Sequence, residues 1–379
     1  MIDLRSSQWK SVHTPALVID MDDVEWNIST TLRLLDHRPE RWRPHVKTAK
    51  LAATIDRMVA EGVRQFKCST TLELLTVCKA GATDVLVAYP LVTSRLERVL
   101  AIAREFPNIA ISGLVESAAQ LPSWPGQLGI FIDINPGMNR TGVSHDDPEC
   151  IMTLARGIAE FGLSLRGLHY YDGNRREPNL PLRQAAAFAG YEKLLCIIRN
   201  FEKAGISVPE VVTSGTPALP CSLAFAPFQN GGFIHRVSAG TVIYNDTTSL
   251  AQLPSEWGYR PAATVLATVI SHPAQNLITL DAGHKTVSAD RGDPTCAVVG
   301  YPGLTPEHPS EEHLPVRVAD GAASLQLGEQ VVLVPRHVCP TVNNFDHAVI
   351  VRDGKISGVA RVTARGREAP LRETFSGSV

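Results

Sequence analysis

Lys47 is the residue whose position most clearly predicts chemistry. It directly follows the short segment RPHV (43–46), which has the pattern of a strand. A lone lysine is usually a solvated surface charge, but a lysine held in a partly buried, cationic neighbourhood loses its proton more easily and becomes a competent Schiff-base nucleophile. The competing candidate is Lys50, which we expect to face solvent from the helix that follows. We therefore predict Lys47 as the reactive lysine.

Further candidate residues follow other predicted strands. Arg140 lies in the tight Pro/Gly loop NPGMNRTGV, where a charged residue without a function is not expected. Tyr171 ends the predicted strand LRGLHYY and is either a core aromatic or a ring packed on a ligand. Two late loops add small and hydroxyl-bearing residues, namely Ser214, Gly215, Thr216, Gly240 and Thr241. The loops after strands seven and eight of a barrel commonly bind phosphate. The set therefore predicts a phosphorylated cofactor.

A second group of candidate ligands lies near the C-terminus, in VLVPRHVCPTVNNFD. If this segment is extended, His337 and Cys339 are two residues apart and point to the same face. An imidazole and a thiolate together are suitable ligands for Zn²⁺. The alternative interpretation is a buried cysteine beside a structural histidine, without a metal. With water or substrate completing the shell, such a site would be open and catalytic.

The elements that position these residues alternate along the chain. Between residues 16 and 240, short apolar runs such as ALVIDM (16–21) and DVLVAYP (84–90) alternate with helical patterns. This alternation predicts βαβ units and a parallel sheet. Because no G-x-G-x-x-G follows the first strand, we favour a closed (β/α)8 TIM-type barrel over an open sheet, and we assign it to residues 12–244.

The pattern changes beyond residue 245. Short alternating strands with turn signals and no convincing helix predict an antiparallel β domain over residues 245–379, with which residues 1–11 could pack. HAVIVRDGKISGV is predicted as a hairpin with a DG turn. The candidate metal pair belongs to this second domain.

Composition excludes several classes of function. The net charge is −2 and no basic block is present, which argues against nucleic acid and acidic membrane surfaces as partners. No apolar run is long enough for a membrane-spanning helix. The seven cysteines are scattered and odd in number, so no disulfide framework is expected. These features predict a cytoplasmic protein.

Eight ordered motifs carry a family resemblance: RPHVKTAK, GMNRTGV, GLHYYDG, SGTP, AGTVIYND, DAGHKTVSADRG, SEEH and HVCPTVN. Together they resemble the D-threonine aldolase / D-serine dehydratase family of fold-type III enzymes, which use pyridoxal 5′-phosphate (PLP) on an alanine racemase-like barrel. The resemblance implies that Lys47 forms the Schiff base, Arg140 contacts the phenolate oxygen and Tyr171 packs near the ring. It places Ser214, Gly215, Thr216, Gly240 and Thr241 around the phosphate. It also implies a divalent metal on His337 and Cys339, with zinc favoured over manganese or magnesium.

Three departures bear on the reaction. Many relatives have a histidine where this chain has Ala49, and another where it has Asn174. Ser238 stands where alanine racemases have an arginine facing the pyridine nitrogen, so the ring would be a weaker electron sink. No counterpart of the C-terminal tyrosine base of the racemases is evident. We therefore expect racemisation to be a remote alternative.

The predicted function is that of a lyase acting on D-β-hydroxy-α-amino acids. Retro-aldol cleavage to glycine and an aldehyde is the leading prediction, and β-elimination to a keto acid and ammonia is the alternative, which the His-x-Cys pair favours. A non-catalytic PLP carrier is a remote alternative, because that class lacks the C-terminal β domain. The resemblance also implies a homodimer with active sites near the interface.

Overall fold

The computed structural model describes residue 4 and residues 6–369 of the chain, folded around two β-sheets. In chain order the strands are β1 (Ala16–Asp20), β2 (Gln65–Cys68), β3 (Asp84–Pro90), β4 (Ala110–Val115), β5 (Gly129–Asn135), β6 (Val143–Ser144), β7 (Leu165–Tyr170), β8 (Glu210–Thr213), β9 (Ile234–Val237), β10 (Ala263–Ala274), β11 (Leu277–Leu280), β12 (Cys296–Val298), β13 (Leu304–Pro306), β14 (Leu314–Val318), β15 (Gln330–Pro335), β16 (His347–Arg352) and β17 (Lys355–Arg361). The α-helices are α1 (Ser7–Lys10), α2 (Met21–Leu34), α3 (Ala52–Ala60), α4 (Thr71–Lys79), α5 (Thr93–Glu105), α6 (Pro148–Glu160), α7 (Leu180–Lys203), α8 (Leu219–Ala224), α9 (Thr247–Gln252) and α10 (Val338–Asn343).

The first sheet is parallel and curls into a barrel. Strands β2, β3, β4, β5, β7, β8 and β9 are neighbours in that order, with β6 against β5. Residues 42–46 lie between the two edge strands: the Arg43 N–H donates to the Val237 carbonyl at 2.9 Å, and the Lys67 N–H donates to the Pro44 carbonyl at 2.9 Å. This short segment takes the eighth position and closes the ring. The predicted barrel followed by an antiparallel β domain is therefore confirmed.

Strand β1 lies outside the barrel, so its predicted place as the first barrel strand is wrong. It pairs antiparallel with β10 and parallel with β16, and so belongs to the second sheet. Leu17, Val18 and Ile19 are all buried, because the strand is covered on both faces. A fully apolar run indicates burial on both faces but does not indicate which sheet supplies the neighbouring strands.

The second sheet is mostly antiparallel and contains β1 and β10 to β17. The predicted hairpin is present as β16 and β17, joined through Asp353 and Gly354, which have φ angles of 49° and 69°. Positive φ at both central residues is typical of the tight turns that suit twisted hairpins. Two short helices, α9 and α10, lie in this part of the chain, where the sequence analysis expects none.

A buried ion-pair network fills the end of the barrel opposite the strand ends at which the candidate site is predicted. The guanidinium of Arg43 contacts Asp84 at 2.8 Å and Glu210 at 2.7 Å, and Arg236 also pairs with Glu210. Asp84 and Glu210 are the first residues of β3 and β8, which places the network at the amino ends of the strands. Such buried pairs are costly to break, because removing one partner leaves an uncompensated charge. The network keeps this end of the barrel in register and leaves the opposite rim for the candidate site.

The helices that cover the barrel are capped by side chains close in sequence. Asp20 accepts hydrogen bonds from the N–H groups of Asp22 and Asp23 at the start of α2, and Thr70 with Glu73 forms a capping box on α4. These contacts satisfy N–H groups that have no partner inside the helix. Within the described ranges, no helix combines the length and the apolar character needed to cross a membrane.

Candidate active site

A pocket of about 610 Å³ opens where the carboxyl ends of the barrel strands meet the second sheet. Most of the predicted site residues line it, namely Lys47, Tyr171, Gly215, Thr216, Ser238, Gly240, Thr241, His337 and Cys339. Arg140 and Ser214 do not line the pocket but lie next to residues that do. The barrel rim and the β domain therefore contribute residues to one site.

Lys47 is half-buried and faces the pocket from the end of the closing segment. Its backbone N–H donates to the Nδ1 of His45 at 3.2 Å, which holds the turn that follows the segment. Lys50 does not face solvent, contrary to the sequence-based expectation. Its Nζ is buried and donates to Glu73 Oε1 at 2.9 Å and to the Ala364 carbonyl at 3.0 Å. Lys50 is held by Glu73 and by the Ala364 carbonyl. Its role is therefore structural, and its amine does not face the pocket.

Three basic side chains lie near the ring of Tyr171. The Nζ atoms of Lys47 and Lys67 are 5.8 and 5.2 Å from the ring centroid, and the guanidinium carbon of Arg140 is 4.9 Å from it. A Cβ at Gly215 would come within 3.1 Å of the same ring. Tyr171 therefore lies at the centre of the predicted cofactor-binding residues, between Lys47, Arg140 and the loop that contains Gly215.

The two loops predicted to bind phosphate contain polar groups without partners. The hydroxyl oxygens of Ser214, Thr216 and Ser238 are buried, and the described residues offer them no hydrogen-bond partner. Buried polar groups are normally paired, since leaving one unpaired costs about 1–3 kcal/mol. A Cβ at Gly240 would lie 2.1 Å from the carbonyl oxygen of His45, so the second loop runs against the closing segment where a side chain does not fit. These residues fit a phosphorylated cofactor, because its phosphate oxygens would accept hydrogen bonds from the Ser214 and Thr216 hydroxyls and its ring nitrogen would lie near Ser238.

His337 and Cys339 meet in the pocket, but not by the predicted route. The segment expected to be extended is helical: His337 is the extended N-cap residue, and Cys339 lies in the first turn of α10. Pro340 is tolerated there because the first turn of a helix leaves its N–H groups unpaired anyway. The Nδ1 of His337 lies 2.6 Å from Asp290 Oδ2.

The surroundings of this pair shift the pKa of each side chain in the direction of its charged form. Burial alone would lower the pKa of His337, but its hydrogen bonds with Cys339 and Asp290 raise that pKa above the usual value. Burial alone would raise the pKa of the Cys339 thiol, but the His337 hydrogen bond and the charge of Lys47 lower it. The thiolate is the form of cysteine that binds metals. Across residues 6–369, no group of three or more His, Cys, Asp and Glu side chains is arranged to hold a metal ion.

The sequence analysis missed a chain of buried titratable side chains beneath Tyr171. The Nζ of Lys67 lies 3.4 Å from His169 Nε2, and His169 Nδ1 lies 2.7 Å from Asp133 Oδ1. Burial and the charge of Lys47 hold the pKa of Lys67 well below its usual range, although Asp133 acts in the opposite direction. Each residue stands among buried apolar residues of its strand, and a charged or titratable residue at such a position was the available signal. Two arginines of the pocket wall, Arg176 and Arg291, were also missed, because they belong to loops without a distinctive pattern.

The fold and the site define an alanine racemase-type barrel followed by a β domain with a candidate metal pair. Comparison with known proteins agrees with this description. The profile of the alanine racemase N-terminal domain matches residues 19–247, and that of a putative serine dehydratase domain matches residues 262–351. The chain is 31% identical to a D-threonine aldolase of Arthrobacter sp., an alignment that covers 94% of this chain and 93% of that protein.

A dehydratase is also among the similar proteins. The D-threo-3-hydroxyaspartate dehydratase of Delftia sp. is 28% identical over 91% of this chain and 96% of that protein. Solved structures of a D-threo-3-hydroxyaspartate dehydratase include a variant of a histidine and, two residues further on, a variant of a cysteine in the metal-free form. The structure of D-threonine aldolase from Filomicrobium marinum superposes with a TM-score of 0.84 at 27% identity, covering 94% of this chain and 96% of that one. This chain belongs to the D-threonine aldolase / D-serine dehydratase family.

Proposed function

We propose that this protein is a PLP-dependent and divalent metal-dependent lyase that cleaves D-β-hydroxy-α-amino acids to glycine and an aldehyde. The observation that carries the proposal is that Lys47 and the His337–Cys339 pair lie in one pocket, although they come from different domains. Thr48, the neighbour of Lys47 in the chain, contacts Cys339 directly, with 2.9 Å between Oγ1 and Sγ. A reactive amine and a candidate Lewis-acid site are thus held side by side.

The roles of the residues follow from where they lie. The unpaired hydroxyls of Ser214 and Thr216 would bind the phosphate, and Ser238 would face the ring nitrogen. Tyr171 would pack against the ring with Arg140 close by. Bound there, PLP would supply an electron sink for the substrate α-carbon, and a metal would lower the pKa of the β-hydroxyl. The Lys47 amine would accept or return a proton at the α-carbon. Cys339 and His337 would orient the β-hydroxyl beside that amine.

Dehydration to a keto acid and ammonia is the second candidate function. The His-x-Cys spacing of this chain is also the spacing of the histidine and cysteine varied in the Delftia dehydratase. The similarity to that dehydratase supports this alternative, while the similarity to the Arthrobacter aldolase supports aldol cleavage. Both reactions need the same amine and the same metal pair, and they differ in which bond breaks.

Product analysis separates the candidates. The purified protein, supplied with PLP and Zn²⁺, Mn²⁺ or Mg²⁺, is incubated with D-threonine, D-serine and D-threo-phenylserine. Glycine with the matching aldehyde is the expected result, and a keto acid with ammonia would identify the dehydratase alternative. Conversion to the L-amino acid would identify a racemase. Absence of turnover with PLP bound would point to the carrier class and overturn the proposed lyase.

We further propose that the protein is a homodimer, as the family resemblance implies. In such a dimer the open side of the pocket would lie near the partner subunit. Light scattering combined with size-exclusion chromatography measures the mass directly, and a monomeric mass would contradict this proposal. The cytoplasmic location stays a prediction from the sequence.

A further inference from the structure

The sulfur of Cys339 lies between the two parts of the barrel that are predicted to hold PLP. On one side, the Thr48 hydroxyl is 2.9 Å from Sγ, and Thr48 directly follows Lys47 in the chain. On the other side, the Thr241 hydroxyl is 3.6 Å from Sγ, and Thr241 follows Gly240 in the second loop predicted to bind the phosphate. A candidate metal ligand from the β domain is therefore in contact with both cofactor loops.

The two hydroxyls are held to the sulfur to different degrees. Thr48 is 0% exposed, so its hydroxyl cannot exchange the sulfur for water. Thr241 is half-buried at the pocket wall and its contact is longer, so its hydroxyl can turn to another acceptor at lower cost. A phosphate oxygen is a stronger acceptor than sulfur, because it carries charge. Phosphate binding would thus draw the Thr241 hydroxyl away and leave a sulfur lone pair for a metal.

Charge couples the two sites in the same direction. The charged side chains of the pocket wall are Lys47, Arg176, Arg291 and Asp246, while Asp290 pairs with His337 and interacts with Arg291. Apart from Lys47, these charges are the same with and without the cofactor, so the coupling depends on what PLP itself adds. A phosphate monoester carries a charge of roughly −1.5 to −2 at pH 7, and attachment of PLP removes the free amine of Lys47. Both changes favour a divalent cation in the same pocket.

We propose that Thr48 and Thr241 are positioning residues that couple the two cofactor sites, so that bound PLP raises the affinity of the His337–Cys339 pair for a divalent metal. The metal must then raise the affinity for PLP by the same factor, because a coupling free energy is shared by the two ligands. Thr48 holds the sulfur beside Lys47, and Thr241 passes its hydroxyl between sulfur and phosphate. This inference deepens the proposed lyase function and rests on its two cofactors, which would load together.

Paired binding measurements test the coupling without any turnover. The Kd of Zn²⁺, buffered by a competing chelator, is measured by calorimetry in PLP-loaded protein freed of excess PLP and in protein stripped of PLP. The Kd of PLP is measured from the absorbance of the bound cofactor, with buffered Zn²⁺ and with chelator alone. We expect each Kd to fall about fivefold or more when the other cofactor is bound, and the two factors to agree.

Variants of Thr48 separate its hydroxyl from its shape. Thr48→Val keeps nearly the same volume and loses the hydroxyl, so the coupling factor should fall about threefold or more. Thr48→Ser keeps the hydroxyl and should retain the factor of the wild type. Thr31→Val is the matched control, because Thr31 is also 0% exposed and its hydroxyl donates to the Asn27 carbonyl at 2.9 Å within α2, away from the pocket. It should leave the factor unchanged.

The outcomes distinguish this inference from the proposed function. If PLP and Zn²⁺ both bind but neither changes the Kd of the other, the coupling is overturned and the lyase function stands. Full coupling in Thr48→Val would overturn the role assigned to the Thr48 hydroxyl. If the protein binds no PLP, or binds none of Zn²⁺, Mn²⁺ and Mg²⁺ in the presence of PLP, the proposed lyase function itself is overturned.

Discussion

The hydroxyl of Thr48 lies 2.9 Å from the sulfur of Cys339, so the residue after Lys47 on the barrel touches the helix that carries the candidate metal pair. The Thr241 hydroxyl is also close to this sulfur, at 3.6 Å. The charge of Lys47 is one cause of the lowered pKa of Cys339. The Lys47 amine and the Cys339 thiol are therefore coupled electrostatically, and the thiol is in contact with the residue that follows Lys47. We expect a substitution of either residue to alter the pKa of the other.

Lys47 should be the site of covalent attachment of PLP. Borohydride reduction of the protein incubated with PLP should fix the label on the peptide that contains Lys47, as read by mass spectrometry. Lys47→Ala should abolish that label and lower turnover by at least a thousandfold, since no other amine would replace it. Lys50→Met is the comparison, because Lys50 is engaged with Glu73 and its loss should affect folding stability without removing the label. Labelling at any other lysine would refute the assignment.

Activity should depend on a metal ion that is bound through Cys339. Cys339→Ala, or dialysis against a chelator, should lower turnover at least a hundredfold while the absorbance of bound PLP is retained, because the thiolate is a metal ligand and does not hold the phosphate. Cys150→Ala is the matched control, since Cys150 is exposed and remote from the pocket. Full activity of a preparation shown by elemental analysis to lack metal would contradict the prediction.

Gly240 should not tolerate a side chain. A Cβ there would lie 2.1 Å from the His45 carbonyl oxygen, so the Gly240→Ala variant must displace backbone at the seam of the barrel. We expect a loss of about 1–3 kcal/mol in unfolding free energy together with weaker retention of PLP. Gly126→Ala is the control, because nothing lies within 4 Å of its added Cβ. Urea unfolding and a PLP titration measure the two effects, and equal behaviour of the two variants would argue against a close approach at Gly240.

Lys67 should make the free energy of unfolding depend on pH in the neutral to alkaline range. Burial and the charge of Lys47 lower its pKa in the folded state, whereas the unfolded chain binds the proton with a pKa near the usual value of about 10.4. Between these two pKa values the unfolded state binds more protons, so the free energy of unfolding rises with pH, by at most about 1.4 kcal/mol per unit from this group. Lys67→Met removes this contribution.

The advantage of Lys67→Met over the wild type should therefore be greatest at pH 7 and shrink as the pH approaches 10. Urea unfolding at pH 7, 8.5 and 10 tests this, with Lys79→Met as a control at an exposed lysine. A difference between Lys67→Met and the wild type that stays constant over this range would show that Lys67 is protonated to the same extent in both states.

Local patterns in the sequence were sufficient for much of the fold. The alternation of apolar runs and helical patterns predicted the barrel, and the Asp353–Gly354 turn predicted the hairpin. The placement of β1 could not be predicted in this way, because its apolar run is compatible with a central strand of either sheet. The helix at 338–343 was also missed, since its six residues are too few for a helical period to be seen.

The sequence by itself determined which residues stand at strand ends, and hence that Lys47, Tyr171 and the late hydroxyl-rich loops would meet at one rim. The reason is that parallel strands of a barrel all finish on the same side, whatever their order in the chain. The tertiary structure decided the contacts between parts of the chain that are distant in sequence. Packing of the second sheet against the barrel brings Cys339 to Thr48, brings the Ala364 carbonyl to the Nζ of Lys50 and places Arg291 beside the pocket. Such contacts depend on distances across the domain boundary, which no local periodicity records.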